Sequence, residues 1–279
     1  MSAQTTPTQY AVVKGTKIAY RRFGAPSTIP LLFLTHFRGT MDLIDPLLLN
    51  SIASSRTVII FDNAGCGHSS GSIAPTIQEM GTVAVDFLSA VGVTKADLLG
   101  YSMGGLIAQR IVLDYPHVVN KVVLAGTQSS YTEGFVLPDA KAMELAGGAD
   151  PNEEGMLDLF FYPTKTSRAL GHAWWQRIQE RNIEGEERTT FVNQAGGQVM
   201  SGAIMQFVSD PKLFEGLKQM DVPILITNGK NDIMTPTANS FLMQQNFKNA
   251  QLHLYPDSGH GHLYQVPKTY AKQLELFLG

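Results

Sequence analysis

Six short apolar runs, "PLLFLTH", "RTVIIFD", "ADLLGY", "KVVLAG", "VPILIT" and "QLHLYP", recur along the chain with longer stretches between them. Each has strand length and most are almost continuously apolar, the pattern of a strand covered on both faces. The stretches "IQEMGTVAVDFLSAVGV" and "MGGLIAQRIVLDYP" space their apolar residues three and four apart, as in Ile107 with Ile111 and Ala108 with Val112. That spacing predicts crossover helices, and strands alternating with helices predict a largely parallel sheet. Two earlier runs, "YAVVKG" and "KIAYRRFG", are joined only by "GTK". No crossover fits there, so an antiparallel hairpin at one sheet edge is expected. The sum is an α/β fold, an eight-stranded mostly parallel sheet flanked by helices. The terminal "YQVPKTYAKQLELFLG", with Tyr270, Leu274 and Phe277 along one stripe, closes it.

One interval breaks the alternation. From 128 to 211 no convincing strand occurs, but aromatic helical segments such as "MLDLFFYPT" and "ALGHAWWQRI" do. A helical cap at 128–211, inserted after strand 6 of a core made of 1–127 and 212–279, is the expected organisation. With 279 residues, 44% of them hydrophobic, the chain can bury a substantial core. Its net charge is −3 and no dense Lys/Arg block is present, which argues against nucleic acid or an anionic membrane as partner and for a small molecule. The single cysteine, Cys66, excludes an intramolecular disulfide framework and cysteine-rich metal sites. A reducing compartment, the cytoplasm, follows as the expected location. The polar start "MSAQTTPTQY" has no signal-like pattern, and no apolar run approaches the roughly 20 residues of a membrane span. The "EGEER" segment reads as a solvated turn.

Chemistry enters at "LLGYSMGG". A strand ending near Tyr101 and a helix starting near Met103 leave Ser102 on the turn between them. So abrupt a turn strains the backbone and crowds the residues two before and two after, where Gly100 and Gly104 stand. The hydroxyl is pushed outward at the positive end of the following helix. A serine needs a base to take its proton and a group to orient that base. "VPILITNGKNDIMTP" places Asp232 just past a buried strand, and "QLHLYPDSGHGH" places His260 past the next. Strand C-terminal ends share one edge of a parallel sheet, so Ser102, Asp232 and His260 can converge there.

These three motifs, in the order Ser, Asp, His, resemble those of the α/β-hydrolase superfamily over about two-thirds of the chain. The resemblance implies Ser102 as nucleophile, His260 as general base and then acid, and Asp232 as the residue that orients the imidazole. Some relatives carry the acid after the sixth strand, but "LAGTQSS" offers no carboxylate there. Asp257, on the His260 loop, and Asp221, at the opposite sheet edge, read as turn or surface residues. The oxyanion donors implied are the amide of Met103 and that of Phe37 in "LTHFRGT", with Thr35 and His36 in the family's His and Gly positions. His36 is a departure there, and His36 and Arg38 either hold the loop or reach substrate, the first being preferred. "FDNAGCGHSSG" resembles the family's Asp-x-x-Gly-x-Gly-x-Ser element, in which Cys66 reads as a packing residue and His68 as at most a border of the site.

His262 reads as a loop histidine bonded to backbone or solvent, because a zinc site needs more ligands than "HGH" supplies. No metal and no cofactor are expected. His253 belongs to the last strand, and His117 and His172 to the surface or cap. Cap segments roof the substrate pocket in this superfamily, so Phe161, Trp174 and Trp175 are expected to line it, although packing against the core must hold for at least one tryptophan. The expected activity is metal-independent serine hydrolysis of a carboxylic ester or lactone with an apolar or aromatic acyl part. Amide, thioester and carbon–carbon bond hydrolysis share this machinery, as does a cofactor-free perhydrolase or haloperoxidase-like reaction. A non-catalytic small-ligand receptor on the same fold is the alternative of another class.

Overall fold

In a computed structural model, which describes residues 1–148 and 151–279, eight strands form one sheet. They are β1 (Gln9–Val13), β2 (Thr16–Gly24), β3 (Leu31–Leu34), β4 (Thr57–Phe61), β5 (Ala96–Tyr101), β6 (Val119–Ala125), β7 (Ile224–Gly229) and β8 (Ala250–Tyr255). Their order is β1-β2-β4-β3-β5-β6-β7-β8. The β1–β2 hairpin turns on Lys14 and Gly15, both at positive φ, as a tight two-residue turn requires. β2 also runs antiparallel to β4, and every pairing beyond β4 is parallel.

Strands β3 to β7 each divide their apolar residues between two helical layers. Leu32 and Leu34 of β3 enter one core, and Leu31 and Phe33 the other. The first core is closed by α2 (Ile77–Ala90) and α3 (Met103–Asp114), through side chains such as Phe87 and Ile111. The second is closed by α1 (Pro46–Ala53), through Leu48 and Ile52, and by the C-terminal helix Pro267–Leu278, through Tyr270 and Leu274. Full burial of these strands on both faces is why they read as apolar runs rather than alternating ones.

Between β6 and β7 the described residues hold five helices: α4 (Ala140–Gly147), α5 (Glu153–Phe160), α6 (Lys165–Arg177), α7 (Gln194–Val208) and α8 (Pro211–Leu217). An isolated bridge joins Ile183 to Glu186. α8 packs Phe214 and Leu217 into the first core. The chain then passes through β7, α9 (Thr237–Asn246) and β8 to α10 (His262–Gln265) and α11, the C-terminal helix already described. Among the described residues no helix is long and apolar enough to cross a membrane. The connection leaving β3 goes to β4 on one side, while β5 pairs on the other. The loops after β3 and β5 therefore diverge and open a crevice at the C-terminal edge of the sheet, where open α/β sheets bind ligands.

Candidate active site

Ser102 sits between β5 and α3 with φ 55 and ψ −119, a conformation that L side chains rarely adopt. Its neighbours explain how the turn closes. A Cβ on Gly100 would strike the Gly104 carbonyl, one on Gly104 the Leu34 carbonyl, and one on Gly105 the Thr127 side chain. The Ser102 amide donates to the Ala125 carbonyl at 2.9 Å, and Thr127 Oγ1 donates to the Ser102 carbonyl at 2.8 Å. Backbone on three sides thus fixes where the hydroxyl points.

The loops after β7 and β8 bring the other two residues to it. His260 Nε2 lies 3.0 Å from Ser102 Oγ, and His260 Nδ1 lies 2.8 Å from Asp232 Oδ2. Asp232 also accepts from the amides of Met234 and Thr235 at 2.8 and 2.9 Å, and from Thr235 Oγ1 at 2.7 Å. Burial alone would raise its carboxyl, but His260 beside it and the hydrogen bonds from Thr235 hold it below the usual carboxylate range. An ionised Asp232 keeps the proton on Nδ1, which leaves Nε2 as acceptor for the serine hydroxyl. Tyr101 donates to the His260 carbonyl at 3.2 Å, and the Gly261 amide donates to the Phe160 carbonyl at 2.7 Å. The Phe160 ring meets the His260 ring nearly edge-on, with centroids 5.4 Å apart. Sequence reasoning missed the supporting parts played by Thr235 and Phe160. Thr235 had a local signal, an aspartate followed three residues later by a hydroxyl; Phe160 had none, since its partner is a hundred residues away.

Two spaces meet at Ser102. The larger, about 550 Å³, has a mainly apolar wall including Leu106, Met103 and Phe37, and no charged side chain lines it among the described residues. Ser201, Ile204, Met205 and Val208 contribute one stripe of α7 to that wall. The opposite stripe, Met200, Ala203 and Phe207, is packed into the first core. The smaller space, about 30 Å³, is bordered by His260, His36, Phe160 and Phe191. As the first residue of α3, Met103 has an amide without an intrahelical acceptor. Neither its amide nor that of Phe37 donates a hydrogen bond among the described residues, and both residues border the larger space with Ser102.

His36 is buried and donates from Nδ1 to the Phe37 carbonyl at 2.9 Å, while burial lowers its pKa to about 4. Arg38 donates to the carbonyls of Val192 and Gly148, each at 2.6 Å, and its own carbonyl accepts from the Val192 amide at 2.9 Å. Both tie the loop after β3 in place, and both also border the smaller space with Ser102 and His260. His262 is fully buried rather than solvated: it faces Thr227 Oγ1 at 3.0 Å and donates to the His260 carbonyl at 3.2 Å. No three His, Cys, Asp or Glu side chains among the described residues are grouped as metal ligands. His68 pairs with Asp42 at 3.3 Å and borders neither space. Asp257 accepts from Thr164 and Asp221 from Asn249, both outside the site. Cys66 is buried, and burial pushes its thiol up to about 12.

The three aromatics expected to line the pocket do not do so. Trp174 is fully buried, stacked on Tyr264 at 5.5 Å and packed against Phe160 and Phe161. Trp175 packs partly buried against the same cluster, and Phe161 lies within it. The reason is the orientation of α6. Its buried stripe, Ser167, Gly171 and Trp174, faces α10 and the base of the His260 loop, with Ser167 donating to Gln265 Oε1 at 2.8 Å. α7, not α6, faces the larger space.

A parallel sheet in this order, with a serine on the strained turn after β5 and an imidazole and carboxylate beyond its last two strands, has the architecture of an α/β hydrolase. A sequence model of the alpha/beta hydrolase fold family matches residues 29–265, and the chain belongs to that family. Among solved structures it is similar to an alpha/beta hydrolase fold protein from Chitinophaga pinensis, with TM-score 0.89 and 34% identity over 100% of this chain and 99% of that one. Among curated proteins it is 26% identical to a putative carbamate hydrolase, RutD, of Azorhizobium caulinodans, over 83% of this chain and 84% of that protein. It is also 26% identical to the poly(3-hydroxyalkanoate) depolymerase of Ectopseudomonas oleovorans, over 90% of this chain and 83% of that protein.

Proposed function

We propose that this α/β hydrolase cleaves a small-molecule carboxylic ester or lactone with an uncharged, apolar acyl part, through an acyl-enzyme on Ser102. The observation that carries the proposal is the unbroken line from Ser102 Oγ to His260 Nε2 at 3.0 Å and from His260 Nδ1 to Asp232 at 2.8 Å. Ser102 Oγ attacks the carbonyl carbon as its proton passes to His260, and Asp232 stabilises the imidazolium that forms. The oxyanion takes hydrogen bonds from the Phe37 and Met103 amides, a contribution of about 3–4 kcal/mol for each donor in a comparable site. His260 then protonates the leaving oxygen, and water attacks the acyl-enzyme with His260 again as base. Helices α4 to α7 serve as the cap over this reaction.

The uncharged wall of the larger space supports an apolar acyl part, because a carboxylate or ammonium buried there would find no counter-charge among the described residues. A poly(3-hydroxyalkanoate) depolymerase and a protein named a putative carbamate hydrolase are both among the relatives; the uncharged wall fits a neutral acyl compound. The test is Ser102→Ala, with acid release from a methyl ester followed by titration. Loss of turnover to background is expected, and turnover at the wild-type rate removes Ser102 from the mechanism.

A further inference from the structure

The two spaces that meet at Ser102 differ in size and in their relation to the imidazole. His260 borders the space of about 30 Å³. It is not among the residues bordering the space of about 550 Å³. Whichever group leaves the tetrahedral intermediate must take a proton from His260 Nε2, so its oxygen has to lie on the His260 side of the serine. The acyl carbon chain then points the other way. Given that Ser102 is the nucleophile, as proposed above, we infer that the small space receives the leaving alcohol and the large one the acyl chain, so that the preferred substrates are esters joining a long uncharged acyl chain to a small alcohol.

The walls agree with this division. Met156, Leu159 and Phe160 border the small space and are buried, so a bulky alcohol would have to displace packed side chains. Its volume is enough for a water or for a methyl- to ethyl-sized group. The same space serves both half-reactions. In the first, the Oγ–C bond forms, the C–O bond to the alcohol breaks, and the serine proton leaves on the alcohol. In the second, water occupies the vacated position and gives its proton to His260 as its oxygen bonds to carbon; the C–Oγ bond then breaks as that proton passes to Ser102 Oγ, releasing the acid. The large space continues outward along exposed apolar side chains. Leu137, Met205, Tyr131 and Met143 line it and are 74%, 56%, 54% and 48% exposed, so an acyl chain longer than the cavity continues along an apolar rim instead of meeting a wall.

A matrix of esters tests the assignment: methyl, butyl and benzyl esters of straight-chain acids from acetate to decanoate, assayed with wild type and Ser102→Ala by titrating released acid. For wild type, kcat/KM is expected to rise about threefold to fourfold per added acyl methylene until the chain reaches the rim. At fixed acyl chain it is expected to fall at least tenfold from methyl to benzyl. Phe191→Ala, which opens only the small space, raises the benzyl-to-methyl ratio at least fivefold; Ile204→Trp, which fills only the large one, lowers the decanoate-to-butyrate ratio by a similar factor. A flat or reversed order, lost in Ser102→Ala, overturns the assignment of the two spaces and leaves the serine mechanism standing. Turnover that persists in Ser102→Ala overturns the mechanism and this inference with it, and no turnover of any ester by wild type overturns the ester assignment.

Discussion

Ser102 is held at positive φ because the residues around it have no room to let it relax. The nearest constraint is Gly104, whose missing side chain leaves space for the Leu34 carbonyl. Gly104→Ala is therefore expected to cost about 3 kcal/mol in urea denaturation, the upper end of the usual overpacking range; a cost below about 1 kcal/mol would mean that the turn is looser than this. Asp232 offers a chemical counterpart. Asp232→Asn retains an oxygen for the amides of Met234 and Thr235 but no longer fixes the His260 tautomer. Its kcat is expected to drop on the order of 10⁴-fold with little change in Tm, and a drop below tenfold would show that the carboxylate does not act on His260. Residues of this kind were legible in the sequence because local geometry demands them: a turn this tight needs glycines at fixed offsets, and the acid and base each follow a short apolar-rich strand.

At the scale of elements, the strands were readable and the faces of the inserted helices were not. A strand covered on both sides advertises itself as an apolar run, whatever it packs against. A helix that is apolar on two sides does not say which side meets the core and which the substrate. α6 carries the two tryptophans yet turns Trp174 into the core, whereas α7 carries small and flexible residues and spends Ile204, Met205 and Val208 on the cavity. The spacing Ser201, Ile204, Met205, Val208 against Met200, Ala203, Phe207 was present in the sequence, but only the position of α3 and α2 beneath α7 separates the two stripes. Arg38 links this layer to the loop after β3 through Val192 and Gly148. Arg38→Met is expected to lower stability by about 2–3 kcal/mol and to lower kcat more than it raises KM, since the loop carrying the Phe37 oxyanion donor loses its tie to the wall of the cavity. Unchanged stability and kcat would show that the tie is not used.

The molecule as a whole carries a pH signature that follows from its buried imidazoles. Burial lowers His36 from 6.5 to about 4 and His262 from 6.5 to about 3. Unfolding frees both to protonate near 6.5, so their contribution is complete above that pH and is lost as pH falls, by about 1.4 kcal/mol per pH unit for each ring. Asp62 works the other way. Burial raises it from 3.8 to about 6, so below pH 6 the folded chain binds a proton that the unfolded chain does not, and stability is gained. Between pH 6 and 5 two rings oppose one carboxylate, leaving a net loss of about 1.4 kcal/mol per pH unit from these three groups. Urea denaturation across pH 6.5 to 5 is expected to show falling stability, and His262→Gln to flatten the fall; the same slope in wild type and variant would show that His262 does not titrate with unfolding. None of this was legible in "HGH", which gives no sign that the second ring lies under β7 against Thr227 and Tyr270.

The claim on which the rest depends is that the hydroxyl of Ser102, deprotonated by His260, is the nucleophile, and a fluorophosphonate reports on it directly. Intact-mass and peptide analysis should find one adduct per chain, on Ser102, formed at a rate that falls at least a hundredfold in His260→Gln. An adduct on another residue, or labelling of Ser102 at the same rate without the imidazole, would contradict the account.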